Sequence, residues 1–240
     1  MEENQEKSIK NNKKKEKLPV LTVKANKKGQ HVMVLMNVLR VVLLPIFYIL
    51  KPFRTFGHRK VKDGACIYIG NHYTIFDPVY MAITTWEGVH FIGKRENFEA
   101  PVLGSFMRWV KAIKVNRDGN DVRALLDGLK CLKNNEKIAL FPEGTRNKTS
   151  EELLPFRHGA ALMAIRAKVP IIPVVIYDRP KFFKCAHIIY GEPIELTEYY
   201  DKKVTEQDYQ AADEKLRARI LDIKREHKEF LENKKKGKKR

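Results

Sequence analysis

Between residues 60 and 195, the hydrophobic positions fall into short runs rich in Val, Ile and Phe, separated by stretches with helical spacing. This alternation is typical of an α/β domain. Strands are predicted over residues 65–69, 89–92, 112–115, 137–141, 171–177 and 187–190. Helices are predicted over residues 78–85, 122–133 and 159–168. A final amphipathic helix is predicted over 207–231, and we interpret its apolar stripe as packing.

The N-terminal part has a different pattern. Residues 1–30 are polar and rich in lysine, which predicts a basic disordered arm. Residues 32–50 are apolar and long enough to cross a bilayer, but they include Arg40, and an Arg near the centre of a span costs about 3 kcal/mol. A helix in the membrane interface satisfies the polar residues better than a span or a core-buried helix, and all three stay open. We therefore assign residues 31–55 to a membrane-associated apolar helix.

Charge narrows the choice of partners. A formal net charge of +18 indicates an anionic partner, which could be nucleic acid, a phospholipid surface or a phosphorylated small substrate. Much of the excess lies at the two ends, where the lysines form either solvated tails or a hold on anionic lipid. The three widely spaced cysteines indicate neither a disulfide framework nor a zinc knuckle, and a reducing compartment fits them best. The apolar segment lacks a following small-residue cleavage site, so we predict no removable signal peptide.

The first candidate for chemistry is the segment from Asn71 to Pro78, directly after the first predicted strand. His72 and Asp77 are five residues apart, which on one continuous helix would point them about 140° apart, so a functional pair requires a turn between them. Pro78 suits the first helical position and predicts Asp77 as the N-cap. A carboxylate that fixes the imidazole tautomer would let the other ring nitrogen take a proton from a hydroxyl. A capping Asp and a structural His are the alternative.

Two further segments follow predicted strands. In Phe-Pro-Glu-Gly-Thr-Arg, residues 141–146, Pro142 ends the strand and Gly144 permits a tight turn that presents Arg146, a residue able to hold a phosphate. An ordinary turn with a solvated Arg is the alternative. Lys94 closes the second strand, and a phosphate-binding loop there is rejected because Arg95 stands where Ser or Thr should bind magnesium. The motifs of serine hydrolases, zinc proteases and dehydrogenases are absent from the sequence.

Four segments in this order resemble the conserved blocks of the glycerolipid acyltransferase family. They are Asn-His-x4-Asp at 71–77, Lys-x-Glu at 94–96 with Pro101 and Gly104, the 141–146 segment, and Val-Pro-Ile-Ile-Pro-Val at 169–174. The sequence departs from the family pattern at Asn97-Phe98 and at Asn147, and neither departure replaces a charged residue of the blocks. The resemblance implies an α/β domain at residues 56–200 with a central mixed sheet flanked by helices, followed by a C-terminal amphipathic helix and basic tail at 201–240.

The resemblance also implies an activity, most like that of 1-acylglycerol-3-phosphate acyltransferases. A fatty acyl group would pass from acyl carrier protein or coenzyme A to the hydroxyl of lysophosphatidate, giving phosphatidic acid in phospholipid biosynthesis. His72 would be the general base and Asp77 its support. The residues expected to bind the acceptor are Lys94, Arg117, Glu143, Gly144, Thr145 and Arg146. Neither a cofactor nor a metal is expected beyond the thioester co-substrate.

Two alternatives stay open. The fold could serve another acceptor, such as glycerol 3-phosphate or another lysophospholipid. From a different class, a basic nucleic-acid-binding protein would use the lysine-rich ends, although the sequence shows no nucleic-acid motif and such a binder does not explain residues 32–50. We therefore expect a phospholipid surface rather than nucleic acid as partner. The expected location is the cytoplasmic face of the cell membrane, as a peripheral, monotopic or single-pass protein.

Overall fold

The computed structural model describes residues 27–57, 64–85, 87–116, 121–149 and 152–237. Its strands are β1 (Phe53–Gly57), β2 (Ile67–Gly70), β3 (Val89–Lys94), β4 (Ile113–Val115), β5 (Lys137–Leu140), β6 (Ile171–Ile176) and β7 (Ala186–Tyr190). Its α-helices are α1 (Lys27–Leu50), α2 (Asp77–Thr84), α3 (Arg95–Glu99), α4 (Pro101–Trp109), α5 (Val122–Lys133), α6 (Gly159–Ala167) and α7 (Glu206–Gly237). A short 3-10 helix, Thr197–Tyr199, precedes α7.

The strands form one mixed sheet in the order β1-β7-β6-β2-β5-β3-β4. All neighbouring strands run parallel except β6 and β7, which are antiparallel. The carboxyl ends of β2, β3, β5 and β6 therefore meet at one edge of the sheet, where α/β proteins commonly place their reactive side chains. We call it the carboxyl edge.

Helices cover both faces of the sheet, as the predicted architecture requires. Ile67 and Ile69 of β2 face a core shared with α5, α6 and α7. Cys66 and Tyr68, which alternate with them, face a second core shared with α1 and α2. Strands buried on both faces read as nearly continuous apolar runs, which explains why they could be recognised from the sequence.

Helix α1 packs against α2 through the side that carries Arg40. The buried Arg40 guanidinium donates to the carbonyl oxygens of Ala82 (3.1 Å), Thr85 and Glu87 (2.8 Å). These carbonyls lie at or just past the end of α2, where backbone carbonyls lack helical partners and cations are favoured. Arg40 in the apolar segment thus has a protein partner. In the described part of the chain, no helix is long and apolar enough to cross a membrane.

The six strands and five helices expected from the sequence are present, with ends shifted by up to six residues. Helix α1 begins at Lys27, four residues before the predicted start. Strand β1 was missed, and its first three residues lie in the 31–55 segment that we assigned to a helix. It directly follows α1, is only five residues long and lies at the sheet edge, so it lacks the long apolar run of a central strand. The predicted basic arm up to residue 26 lies outside the described residues.

The pairing of β1 predicts a specific sensitivity at Gly57. Its φ of +78° is rarely adopted by other residues, and a Cβ there would overlap the carbonyl oxygen of Tyr190 on β7. Gly57→Ala should lower the free energy of unfolding by about 1–3 kcal/mol from the backbone alone, with the overlap adding to it. Gly159→Ala is the control, because a Cβ there meets nothing within 4 Å. Equal denaturant midpoints for both variants would contradict the β1–β7 register.

Candidate active site

The carboxyl edge brings two of the predicted segments together. His72 follows β2 by two residues, and residues 141–147 follow the adjacent strand β5. The buried Asn71 side chain binds the backbone of β6 on the other side, donating to the carbonyl of Ile176 (2.9 Å) and accepting from its amide (2.8 Å). The start of the His72 loop is thereby fixed to the sheet.

Asp77 organises the loop from within. Its fully buried carboxylate accepts from the backbone amides of Tyr73 (2.5 Å) and Thr74 (2.6 Å) and from the Thr74 hydroxyl (2.7 Å). The expected N-cap role is therefore wrong: Phe76 holds the cap position of α2, and Asp77 faces back toward the residues before it. This backward bonding supplies the turn that a His-x4-Asp pair requires.

His72 completes the pair. Its Nδ1 lies 2.9 Å from Oδ2 of Asp77, and its ring stacks on Phe141 with centroids 4.2 Å apart and planes at 21°. Because the Asp77 carboxylate accepts, Nδ1 carries the proton in this arrangement and Nε2 of the neutral ring keeps its lone pair. The side chain is 15% exposed and therefore in contact with solvent. A histidine held in this way is able to act as a general base.

Glu143 connects the 141–147 segment to the His72 loop. Its buried carboxylate accepts from the backbone amides of His72 (2.7 Å) and Leu154 (2.9 Å). Burial raises the pKa of Glu143, and these two hydrogen bonds oppose the rise. The amide of Asn147 also donates to the carbonyl of His72 at 2.6 Å. The predicted residue Glu143 is therefore a scaffold for the backbone of His72.

The next three predicted residues form an open turn beside this scaffold. Gly144 has φ of +68°, and a Cβ there would lie 2.7 Å from Nε of Arg157. Thr145 and Arg146 have exposed side chains and immediately precede Asn147, which is bonded to His72. The turn therefore presents Arg146 to solvent near the His72 loop and places a second cation, Arg157, against Gly144.

Of the other two predicted cations, Lys94 lies farther from His72 than the 141–147 turn does. Lys94 ends β3, two strands from β2 and so about 10 Å away across the sheet. Its Nζ lies 3.7 Å from Oε1 of Glu96; the Lys94 side chain is partly exposed and the Glu96 side chain is exposed. Arg117 lies outside the described residues.

Sequence reasoning missed a contact from the C-terminal helix. The buried Lys224 of α7 donates to the hydroxyl of Tyr73 (2.9 Å) and pairs with the carboxylate of Glu152 (3.2 Å). Lys224 follows Ile220 and Ile223 on the buried stripe of α7. A lysine in such a stripe was the available signal, because a buried ammonium needs a partner. The stripe that we interpreted as packing therefore also braces the residue next to His72.

Arg179 is a second residue that the sequence did not single out. It follows β6 on the carboxyl edge, donates to the carbonyl of Asn147 (2.8 Å) and lies 5.5 Å from the centre of the Tyr73 ring. It thus contacts both segments that meet at His72 and adds a further cation to this edge.

Comparison with known proteins identifies the family of this chain. The family model described as Acyltransferase matches residues 53–177, and the chain belongs to that family. That region contains every strand of the sheet except β7. The match also includes His72, Asp77 and residues 141–146, so the fold and the candidate site belong to the same family domain.

Several curated relatives are named 1-acyl-sn-glycerol-3-phosphate acyltransferase. The chain is 31% identical over 124 residues to the 1-acyl-sn-glycerol-3-phosphate acyltransferase of Helicobacter pylori, covering 50% of this chain and 52% of that one. It is 33% identical over 141 residues to the human 1-acyl-sn-glycerol-3-phosphate acyltransferase beta, covering 57% and 50%. The chain thus spans about half the length of these relatives.

A solved structure has the same fold. The crystal structure of the 1-acyl-sn-glycerophosphate acyltransferase PlsC from Thermotoga maritima superposes with a TM-score of 0.62. The superposition covers 85% of this chain and 82% of that one, at 21% identity. The α/β fold with a mixed central sheet, expected from the resemblance, is confirmed.

The brace from α7 predicts an energetic coupling between Lys224 and Tyr73. In a double-mutant cycle of Lys224→Met and Tyr73→Phe, the free energies of unfolding should be non-additive by about 0.5–3 kcal/mol, because each substitution removes the same hydrogen bond. Lys215→Met is the control on the same helix, since Lys215 pairs with Glu198. Its cycle with Tyr73→Phe should be additive within about 0.5 kcal/mol. Equal coupling in both cycles would rule out the brace.

Proposed function

We propose that this chain transfers a fatty acyl group from acyl coenzyme A or acyl carrier protein to the hydroxyl of 1-acylglycerol 3-phosphate, forming phosphatidic acid. The observation that carries the proposal is the His72–Asp77 pair at the carboxyl edge, within the region that matches the family. The names of the curated relatives support the acceptor. The phosphatidic acid product and the two possible thioester donors are our proposal.

In this reaction Nε2 of His72 takes the proton from the acceptor hydroxyl as the oxygen attacks the thioester carbonyl. The C–S bond then breaks, an ester forms, and the thiolate leaves with the proton returned by His72. Asp77 stabilises the imidazolium through Nδ1, so no covalent acyl-enzyme is needed. A general base of this kind contributes about 10²- to 10⁴-fold in rate. The chemistry requires no redox cofactor.

The acceptor phosphate is assigned to the cations around the 141–147 turn. Arg146 is exposed and close to the His72 loop, and a guanidinium can bind phosphate through two parallel hydrogen bonds. Gly144 and Thr145 form the turn, and Lys94 and Arg117 are proposed as further cations that bind the acceptor. Glycerol 3-phosphate or another lysophospholipid would present the same phosphate, so these acceptors are the alternatives within this activity.

An acyl-transfer assay with a labelled acyl thioester and lysophosphatidate in detergent micelles tests the assignment. His72→Ala should lower kcat by about 10²- to 10⁴-fold. Arg146→Ala should chiefly raise the KM for lysophosphatidate, by about tenfold or more if one charge-assisted hydrogen bond worth about 1.5–3 kcal/mol is lost. His158→Ala is the control, because His158 also bonds an aspartate, Asp213, at 2.6 Å.

The control variant should stay within a few-fold of the unsubstituted chain. An active His72→Ala variant would eliminate the base mechanism. If the unsubstituted chain were active with glycerol 3-phosphate but not with lysophosphatidate, the acceptor assignment would be wrong. The proposed base mechanism would not be affected.

We further propose that the carboxyl edge docks on a phospholipid surface at the cytoplasmic face of the membrane. Ile75, Phe182 and Phe183 have exposed side chains beside the His72 loop, and the amide of Phe183 donates to the carbonyl of Leu50 at the end of α1 (2.9 Å). The side of α1 away from the protein adds Val34, Val38, Val41, Val42, Ile46 and Ile49. An apolar surface of this kind indicates an interaction site. It would bring the acceptor to His72 without removing it from the bilayer.

Flotation with phospholipid vesicles at high salt tests this docking. Replacing Phe182 and Phe183 together by Asp should weaken binding by at least about tenfold, because burying one Phe is worth about 1.5–3 kcal/mol. Leu126→Asp is the control: Leu126 is 58% exposed but lies on α5, which covers the face opposite α1. Undiminished flotation of the Phe182/Phe183 variant would refute the proposed face, whereas loss with Leu126→Asp as well would indicate a general effect of added charge.

A further inference from the structure

Three side chains that can bind metal meet at the edge of the sheet opposite His72. His90 is the second residue of β3, Glu136 immediately precedes β5, and Cys131 lies in the last turns of α5. Their nearest donor atoms, an imidazole nitrogen, a carboxylate oxygen and a thiol sulfur, all lie within 4.8 Å of one another. His90 and Glu136 are buried and Cys131 is half-buried.

The hydrogen bonds of His90 determine what its second nitrogen can do. Nδ1 lies 2.9 Å from the carbonyl oxygen of Lys111, and because a carbonyl only accepts, Nδ1 carries a proton. Nε2 then faces Oε2 of Glu136 at 3.2 Å, yet the two are not aligned as a hydrogen bond. A neutral ring would place two lone pairs against each other in a buried site. A positive charge between them, either a second ring proton or a metal ion, removes that conflict.

A second buried atom without a partner among the described side chains, Oε1 of Glu136, belongs to the same cluster. Among the residues that the structure describes, neither Oε1 of Glu136 nor Nε2 of His90 has a hydrogen-bond partner, and both atoms are buried. Buried polar atoms without partners are costly, and a bound ion is one arrangement that satisfies them. A proton on Nε2 would serve the imidazole but would leave Oε1 of Glu136 unsatisfied. A metal ion can satisfy both residues.

The end of α5 adds to the attraction for a cation. The carbonyl ends of helices carry partial negative charge. Here Cys131 lies near the helix end, and its carbonyl accepts from the amides of Asn134 (3.1 Å) and Glu136 (3.0 Å). Those bonds fold the chain back and bring Glu136 next to the Cys131 thiol. The turn after α5 thus brings the Glu136 carboxylate and the Cys131 thiol together beside His90.

We propose that His90, Cys131 and Glu136 form a binding site for Zn²⁺ or a similar borderline-soft divalent ion. Imidazole, thiolate and carboxylate are the three donor types that zinc binds, whereas Mg²⁺ and Ca²⁺ prefer oxygen alone. Zinc bonds of about 2.0–2.2 Å to nitrogen and oxygen put tetrahedral ligands about 3.3–3.6 Å apart. The distance of 3.2 Å between Nε2 of His90 and Oε2 of Glu136 is close to the lower end of that range. Water would fill the fourth position, and the bond between His90 and Lys111 would orient the ring.

Such an ion would link β3, α5 and the start of β5, at the edge of the sheet opposite the carboxyl edge and His72. It would stabilise the fold and take no part in acyl transfer. The spacing of the cysteines indicated no zinc site because the three ligands come from separate elements and only one of them is a cysteine.

Co²⁺ titration of the full chain tests the site, because thiolate-bound tetrahedral Co²⁺ absorbs in the near-ultraviolet and visible. One equivalent should bind with a thiolate band, and Zn²⁺ should displace it. Cys131→Ser should abolish the band and weaken Zn²⁺ binding by at least the 10- to 100-fold typical of losing a residue that supports a ligand. Cys185→Ser is the matched control, since Cys185 is exposed and lies outside the cluster.

A second variant keeps the test independent of the thiol. Glu136→Gln should weaken Zn²⁺ binding while Cys131 is retained, and Zn²⁺ should raise the melting temperature of the unsubstituted chain more than that of either variant. Absence of the thiolate band, or an equal band in Cys131→Ser, would overturn the proposal. Loss of the band in Cys185→Ser would show adventitious binding elsewhere. In those cases a protonated His90 paired with Glu136 is the remaining arrangement.

Discussion

The candidate site depends on the hydrogen bonds that the carboxylate of Asp77 accepts. It accepts from two backbone amides, a hydroxyl and the His72 ring, and it is fully buried. Without it, each of these donors that stays buried would lose about 1–3 kcal/mol of hydrogen-bonding free energy. The same carboxylate therefore shapes the loop and orients the base. Asn71 and Glu143 extend this control to the strands on either side of β2.

The central elements were predictable because burial on both faces makes parallel strands apolar throughout. Strand β1 was not, since it is short, lies at an edge and gains its identity from pairing with a strand 133 positions later, Phe53 with Ala186. The meaning of Arg40 was hidden for a similar reason. Its partners are carbonyl groups at the end of α2, which only the fold brings to it.

At the site, the order of the segments identified His72, Asp77 and the 141–146 turn. The role of each was harder to foresee. Asp77 looked like a helix cap because Pro78 follows it, but its bonds run to the preceding residues. Glu143 looked like part of a binding pocket and is engaged by two backbone amides. Lys224 is distant in sequence, so its contact with Tyr73 needed the packing of α7 against the domain.

The tautomer of His72 tests the central claim most directly. In protein labelled with ¹⁵N-histidine, the ring signals of His72 can be assigned by their absence from His72→Gln. Within the neutral imidazole, bonding to Asp77 requires a protonated, pyrrole-like Nδ1 and a pyridine-like Nε2 able to accept a proton. That pattern would support the account. A pyridine-like Nδ1 with the proton on Nε2 would contradict it, because the base would then lack both its support and its lone pair at the acceptor.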